Sequence, residues 1–295
     1  MLNALRDAFE IGRHPLRFRS ARIEAADGFA VEHLAFESAA GETVRGILTR
    51  PEGPGPFPGL LYIHAHGNHH DIGIAEMLDG RPALQGPLGP EFARHGYAVL
   101  MTELPAFGTR AEPEESARAK EALWHGRSLA GQMIAEQASA LDWLSNRDDV
   151  DAASIGAFGI SMGATLAYWL ASVDPRIAAV AHLCAYADLD TLIAAGAHDL
   201  HGIYMSVPGL LKIASNGRIA GAVAPRPQLI GIGDLDPLTP PRAADTALEE
   251  THALYAAAGA TENLTIHREP DSGHVETAAM REAVMRFFER HLQAG

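Results

Sequence analysis

Gly159-Ile160-Ser161-Met162-Gly163 is the first segment of this 295-residue chain whose residue types and spacing suggest chemistry. It is a G-x-S-x-G that directly follows an apolar run, Ser154–Ile160, and opens a stretch with helical spacing, Ala164–Ser172. On such a strand-to-helix turn the serine hydroxyl is lifted off the sheet edge, and small residues on both sides let the backbone pass closely. The helix N-terminus behind it favours developing negative charge. A serine is a poor nucleophile until a neighbouring base takes its proton, so an acid and a histidine are required.

In this arrangement the order along the chain is Ser, then Asp or Glu, then His. Gln228-Leu229-Ile230-Gly231-Ile232-Gly233-Asp234-Leu235-Asp236-Pro237 supplies two acids after a strand-like run. Asp236 is favoured because a turn into Pro237 and Pro240 lets it project past the strand end. Asp234 competes, and is expected to bond nearby backbone amides instead. For the base, Asp271-Ser272-Gly273-His274 follows the strand-like Leu264–His267 and precedes the last helix. With 15 histidines in the chain, residue type carries nothing here and position carries the assignment. An oxyanion also needs two amide donors. Met162, after the nucleophile, is one. The other is expected on His66-Gly67-Asn68, with the Asn68 amide preferred over those of Gly67 and His69.

The elements that must hold these residues are legible as alternating patterns. Val31–Ser38 and Thr43–Arg50 read as an antiparallel pair, while Gly59–Ile63, Tyr97–Met101, Ser154–Ile160, Ile177–Leu183, Pro227–Ile232 and Leu264–His267 are short apolar strands. Helices are predicted near Gly89–His95 and over Arg127–Ser145, Ala164–Ser172 and Val275–Leu292. Alternation at this spacing argues for an α/β fold, with a mostly parallel sheet and helices on both faces. The forty or so residues from 186 to 225 exceed what one crossover needs and read as a small helical cap. No linker divides the chain, so residues 1–295 are expected to form one domain, with its core at about 31–185 and 226–293.

Composition excludes several classes. Hydrophobic residues are 47% and charged residues 20% of the chain, an ordinary globular balance. The 37 acidic against 23 basic residues leave a net charge of −14, which repels phosphate backbones and anionic lipid headgroups, so neither nucleic acid nor a membrane surface is an expected partner. Cys184 is the only cysteine and no apolar stretch could span a bilayer. With Asp7, Glu10 and Arg13 where a signal peptide would be apolar, a cytoplasmic location is expected. The N-terminal sheet edge permits pairing into a homodimer.

His64, His66, His69, His70 and Asp71 invite a metal reading. A turn this short does not aim four imidazoles at one centre, and the segment already serves as the oxyanion loop, so no metal is expected. His66, Trp124, His201 and Tyr204 are candidate substrate-wall residues, and Glu112–Glu121 reads as a solvated helix face.

The set H-A-H-G-N, G-I-S-M-G-A, G-D-L-D-P-L-T-P and D-S-G-H resembles the α/β-hydrolase superfamily, and within it the branch of dienelactone hydrolases and acetyl xylan esterases, over roughly residues 31–292. The resemblance implies an α/β-hydrolase fold with an eight-stranded sheet, a serine nucleophile and no cofactor. A dienelactone hydrolase proper carries a cysteine where this chain has Ser161. The expected function is cleavage of a small carboxylic ester through an acyl-enzyme, with Ser161, Asp236 and His274 as the triad. A small peptidase or amidase using the same triad is the alternative.

Overall fold

Gly59–Ile63 sits at the centre of the molecule because both of its faces are apolar. Leu60 and Tyr62 point into one hydrophobic layer, Leu61 and Ile63 into the other, and all four are buried. In the computed structural model, which describes residues 1–293, this run belongs to one nine-stranded sheet. Its strands are β1 (Arg17–Ala26), β2 (Phe29–Glu37), β3 (Thr43–Arg50), β4 (Phe57–Ile63), β5 (Ala98–Thr102), β6 (Val150–Ile160), β7 (Ile177–Leu183), β8 (Gln228–Gly233) and β9 (Leu264–Glu269).

The spatial order is β1-β2-β3-β5-β4-β6-β7-β8-β9. Pairings from β1 through β3 to β5 are antiparallel, and all others are parallel. The antiparallel edge and parallel core follow the sequence reading, but the expected count of eight strands falls one short. The missed strand is β1, R-F-R-S-A-R-I-E-A-A, exposed along almost its whole length. An edge strand with no core face has no apolar alternation to betray it.

Helices cover both faces. Leu129–Ser145, Met162–Val173 and Pro241–Ala257 bury Met133, Leu166 and Ala244 in the layer that holds Leu61. Leu88–Arg94 and Ala278–Leu292 bury Phe92, Val284 and Phe288 in the layer that holds Leu60. Each fully buried side chain of this size contributes about 1.5–3 kcal/mol relative to exposure. Ser128 caps the longest of the predicted helices by accepting from the Gly131 amide at 2.9 Å.

Between β7 and β8 the chain forms short helices, Leu189–Ala195, Leu210–Ile213 and Asn216–Gly221, with two 3₁₀ turns, Ala197–Leu200 and Ile203–Met205, between the first and the second. No helix of the described residues is long and apolar enough to cross a membrane. Strands β4, β6, β7, β8 and β9 run parallel side by side, so the loops after their carboxyl ends share one edge of the sheet. The four motifs lie on those loops and at the strand ends that lead into them.

Candidate active site

Strand β6 ends at Ile160, and Ser161 turns the chain into the helix Met162–Val173 with φ 57° and ψ −125°. This is a costly conformation for a residue with a Cβ, and it persists only where the surroundings over-determine it. Here the Ser161 amide donates to Leu183 O at 2.9 Å, and Ser161 O accepts from the Thr165 amide at 3.2 Å. The glycines make the turn passable. A Cβ on Gly159 would lie 2.2 Å from the Gly163 carbonyl carbon, and one on Gly163 would lie 2.0 Å from Ile63 O. The second contact also presses the start of the helix against the end of β4.

His274 stands on the turn after β9. Its Nε2 lies 2.9 Å from Ser161 Oγ, and its Nδ1 lies 2.7 Å from Asp236 Oδ2. Asp236 is buried, and its second oxygen accepts from the Leu238 amide at 2.8 Å. Two loops from neighbouring strands are joined to make this possible: the Leu235 amide donates to Ser272 O at 2.8 Å and the Asp234 amide to Glu269 O at 2.9 Å. A Cβ on Gly233 would fall 2.5 Å from Ser272 O, so only glycine lets the acid and base loops close this far. Asp234 differs from expectation in its side chain, which pairs with Arg268 Nε at 2.6 Å rather than with backbone amides.

As the first residue of its helix, Met162 has an amide with no intrahelical acceptor. The loop after β4 departs from the sequence reading. The Asn68 amide is already engaged, donating to His66 Nδ1 at 3.0 Å. Gly67 and Asn68 both take φ 56°, which curls the loop back on itself. The Ala65 amide is engaged too, by buried Glu76 Oε2 at 3.0 Å. Among the described residues the amides of His66 and Gly67 carry no acceptor.

The residues expected to form a substrate wall separate. His66, His201 and Tyr204 lie together beside Ser161, Asp236 and His274. The Tyr204 ring stacks on His66 with centroids 5.8 Å apart, and His201 Nε2 donates to Leu238 O on the acid loop at 3.0 Å. Burial pushes the His201 imidazole down and the Tyr204 phenol up, so both stay neutral near pH 7. Trp124 does not join them. It ends the helix Glu115–Trp124 at 87% exposed, where its apolar ring has no core face to fill.

The histidine cluster also divides. His64 is buried, donates from Nδ1 to Ala65 O at 3.1 Å, and accepts the Leu104 amide on Nε2 at 3.2 Å. His69 and Asp71 are exposed. His66 and His70 turn toward Glu115, and ligand atoms of these three lie within 4.8 Å of one another. Their hydrogen bonds oppose metal binding. Because His66 Nδ1 accepts an amide, its proton sits on Nε2 and is donated to Glu115 Oε2 at 2.8 Å, which leaves no lone pair there for a cation.

Glu115 is the functional-region residue that sequence reasoning missed. The run Glu112–Glu121 reads as a solvated face, yet Glu115 is half-buried, with His66 on one oxygen and the Tyr204 amide on the other at 3.0 Å. Burial alone would push its carboxyl up, but the bonds from His66 and from the Tyr204 amide hold it below the usual range. Nothing in an acidic run distinguishes the one carboxylate that turns inward.

A profile of the Dienelactone hydrolase family matches residues 44–206. The provisionally named hydrolase YtaP of Bacillus subtilis (strain 168) is 36% identical over 282 residues, covering 95% of this chain and 94% of YtaP. Esterase FrsA of Escherichia fergusonii is 27% identical over 158 residues, which are 52% of this chain and 31% of FrsA, so the match spans about a third of that relative. Among solved structures, a provisionally named acetyl xylan esterase from Bacteroides fragilis NCTC 9343 superposes with a TM-score of 0.74 at 20% identity, covering 90% of this chain and 73% of the other. At that identity the likeness is one of fold.

Proposed function

Because this chain belongs to the dienelactone hydrolase family, we propose that it cleaves the carboxylic ester of a small substrate through an acyl-enzyme on Ser161. Its type is that of a carboxylic ester hydrolase; the nucleophile, the mechanism and the substrate size are the proposal. The observation that carries it is the unbroken hydrogen-bond chain Ser161–His274–Asp236, at 2.9 and 2.7 Å.

In this reading His274 Nε2 takes the Ser161 proton as Oγ attacks the ester carbonyl. Asp236 keeps the other ring proton on Nδ1 and stabilises the imidazolium that results. The tetrahedral oxyanion is held by the Met162 amide and by an amide of the loop after β4. His66 is the preferred loop donor, since Asn68 is engaged and the end of β4 packs against Gly163. The proton on His274 then passes to the departing alkoxide. Water, deprotonated by the same nitrogen, attacks the acyl carbonyl, and Ser161 is regenerated. His201 and Tyr204, held by their bonds to the acid loop and to Glu115, would form part of the wall against which a small ester sits.

The experiment is turnover of p-nitrophenyl acetate beside the matching anilide, with a fluorophosphonate mapped by mass spectrometry. Ester turnover, slower amide turnover and a single adduct on Ser161 support the reading. An adduct elsewhere, or turnover that survives the reagent, overturns it. An anilide cleaved as fast as the ester would favour an amidase.

A further inference from the structure

The His66–Glu115 pair is held more tightly than a loop residue and a surface helix require. Glu115 Oε2 accepts from His66 Nε2 at 2.8 Å, and Oε1 accepts from the Tyr204 amide at 3.0 Å. The pair is packed in by a glycine: a Cβ on Gly202 would lie 2.9 Å from Glu115 Oε1 and 3.1 Å from His66 Nε2. His70 closes another side, with Nδ1 bonded to Ala106 O at 2.8 Å and its ring stacked on Phe107.

The consequence runs through the imidazole tautomer. One lone pair and one proton must be matched at His66. Glu115 offers only an acceptor, so it fixes the proton on Nε2 and leaves Nδ1 to accept the Asn68 amide. That second bond closes the curl of Gly67 and Asn68 at φ 56°. The curl in turn sets the direction of the free amide at His66.

We propose that Glu115 is a positioning residue for ester cleavage: by fixing the His66 tautomer it shapes the oxyanion loop, and by holding the Tyr204 amide it seats the insertion over that loop. The inference rests on the serine-esterase reading above and adds a fourth side chain to it, one that touches neither substrate nor nucleophile.

Glu115→Gln is the direct test. Its amide has one acceptor where two donors need satisfying. If the oxygen keeps Tyr204, the NH₂ faces the His66 Nε2 proton, and the ring must move its proton to Nδ1, against the Asn68 amide. Expected is a fall in kcat of roughly tenfold, short of the ~10²–10³ lost with an oxyanion donor itself. KM should change less than about twofold, and a boronic-acid transition-state analogue should lose affinity in step with kcat/KM. His66→Asn supplies a second arm, because its side-chain oxygen can accept the Asn68 amide without help from Glu115. In that background Glu115→Gln should cost little. An equal loss in both backgrounds, or no loss in the first, overturns the proposal.

Should Glu115→Gln fail to fold, the wild-type protein still decides. ¹⁵N-histidine NMR should find His66 as the Nε2–H tautomer, and an Nδ1–H tautomer overturns the idea. Absence of a fluorophosphonate adduct on wild-type Ser161 would instead sink the esterase reading, whatever His66 does.

Discussion

Nε2 of His274 lies 2.9 Å from Oγ of Ser161, although 113 positions separate them in the chain. The distance is short enough for direct proton transfer without a bridging water. The serine is held there by its backbone bonds to Leu183 and Thr165, not by the contact with the imidazole. Ser161→Ala should therefore leave the fold intact while lowering kcat for p-nitrophenyl acetate by at least ~10³-fold. A melting curve run beside the assay separates the two effects. An alanine variant that keeps a tenth of the activity would remove Ser161 from the mechanism.

The two aspartates after β8 make opposite predictions. Asp236 is buried and spends one oxygen on His274 and the other on the Leu238 amide. Asparagine there would favour the wrong imidazole tautomer, and kcat should drop on the order of 10³–10⁴-fold. Asp234 is partly exposed and pairs with Arg268, an ion pair worth about 0–1 kcal/mol. Asp234→Asn should keep kcat within about twofold, on the scale of that weak coupling. Equal losses in the two variants would mean that the acid has been assigned to the wrong residue.

That Ser161, Asp236 and His274 would meet at one sheet edge was readable because each follows a strand of the parallel sheet, and the buried ones among these strands announce themselves as short apolar runs bounded by glycine or proline. Leu229–Ile232 and Leu60–Ile63 are of that kind. Strand β1 was not readable, since Arg17–Ala26 has no buried face to impose a pattern. Trp124 and Glu115 misled in opposite directions. A tryptophan suggests a wall or a core and here lies in solvent, whereas a glutamate in an acidic run suggests solvent and here reaches His66. Both outcomes turn on how the helix Glu115–Trp124 is rotated against the rest of the protein. That rotation is set by tertiary packing, and a ten-residue helix with only Ala119 buried carries almost no apolar stripe to encode it. The Asn68 amide failed for a related reason: whether a loop amide is free depends on whether a side chain two residues away has folded back onto it.

Gly163 makes the steric demand of the turn testable. Its missing Cβ would sit 2.0 Å from Ile63 O, a backbone atom in a central strand that cannot yield cheaply. Gly163→Ala should cost about 3 kcal/mol or more through overpacking. At about 2–4 °C per kcal/mol for a chain of this size, the melting point should fall roughly 6–12 °C. Gly126, where a Cβ would meet nothing within 4 Å but φ is +68°, is the control, and alanine there should cost only about 1 kcal/mol of backbone strain. Similar melting points for the two variants would contradict the packing at the elbow.

Chelation tests the histidine cluster. His66 Nε2 carries the proton that Glu115 accepts, and His64 spends both ring nitrogens on backbone groups. Overnight dialysis against EDTA should leave kcat/KM within error, and added zinc should not raise it. A loss on chelation that zinc restores would show that the ring protons are placed otherwise.

Acid should destabilise the protein, because two buried histidines are neutral in the fold. Burial pushes His64 down to about 4 and His182 down to about 3. In the unfolded chain both would titrate near the ordinary value of about 6.5, so between that pH and the folded values the unfolded state binds more protons. Stability from this source is complete above about pH 6.5 and is lost as pH falls toward 4. Each histidine puts a few kcal/mol at stake, on the order of 1.4 kcal/mol per pH unit of separation. The melting point should thus decline steadily from pH 7 to pH 4.5. Replacing His182, which lies between Tyr168 and Tyr186 and meets Gln228 at 2.9 Å, with glutamine should flatten part of that decline even if it lowers the melting point at pH 7. A melting point unchanged down to pH 4.5 would mean that the two buried rings are not held neutral by the fold.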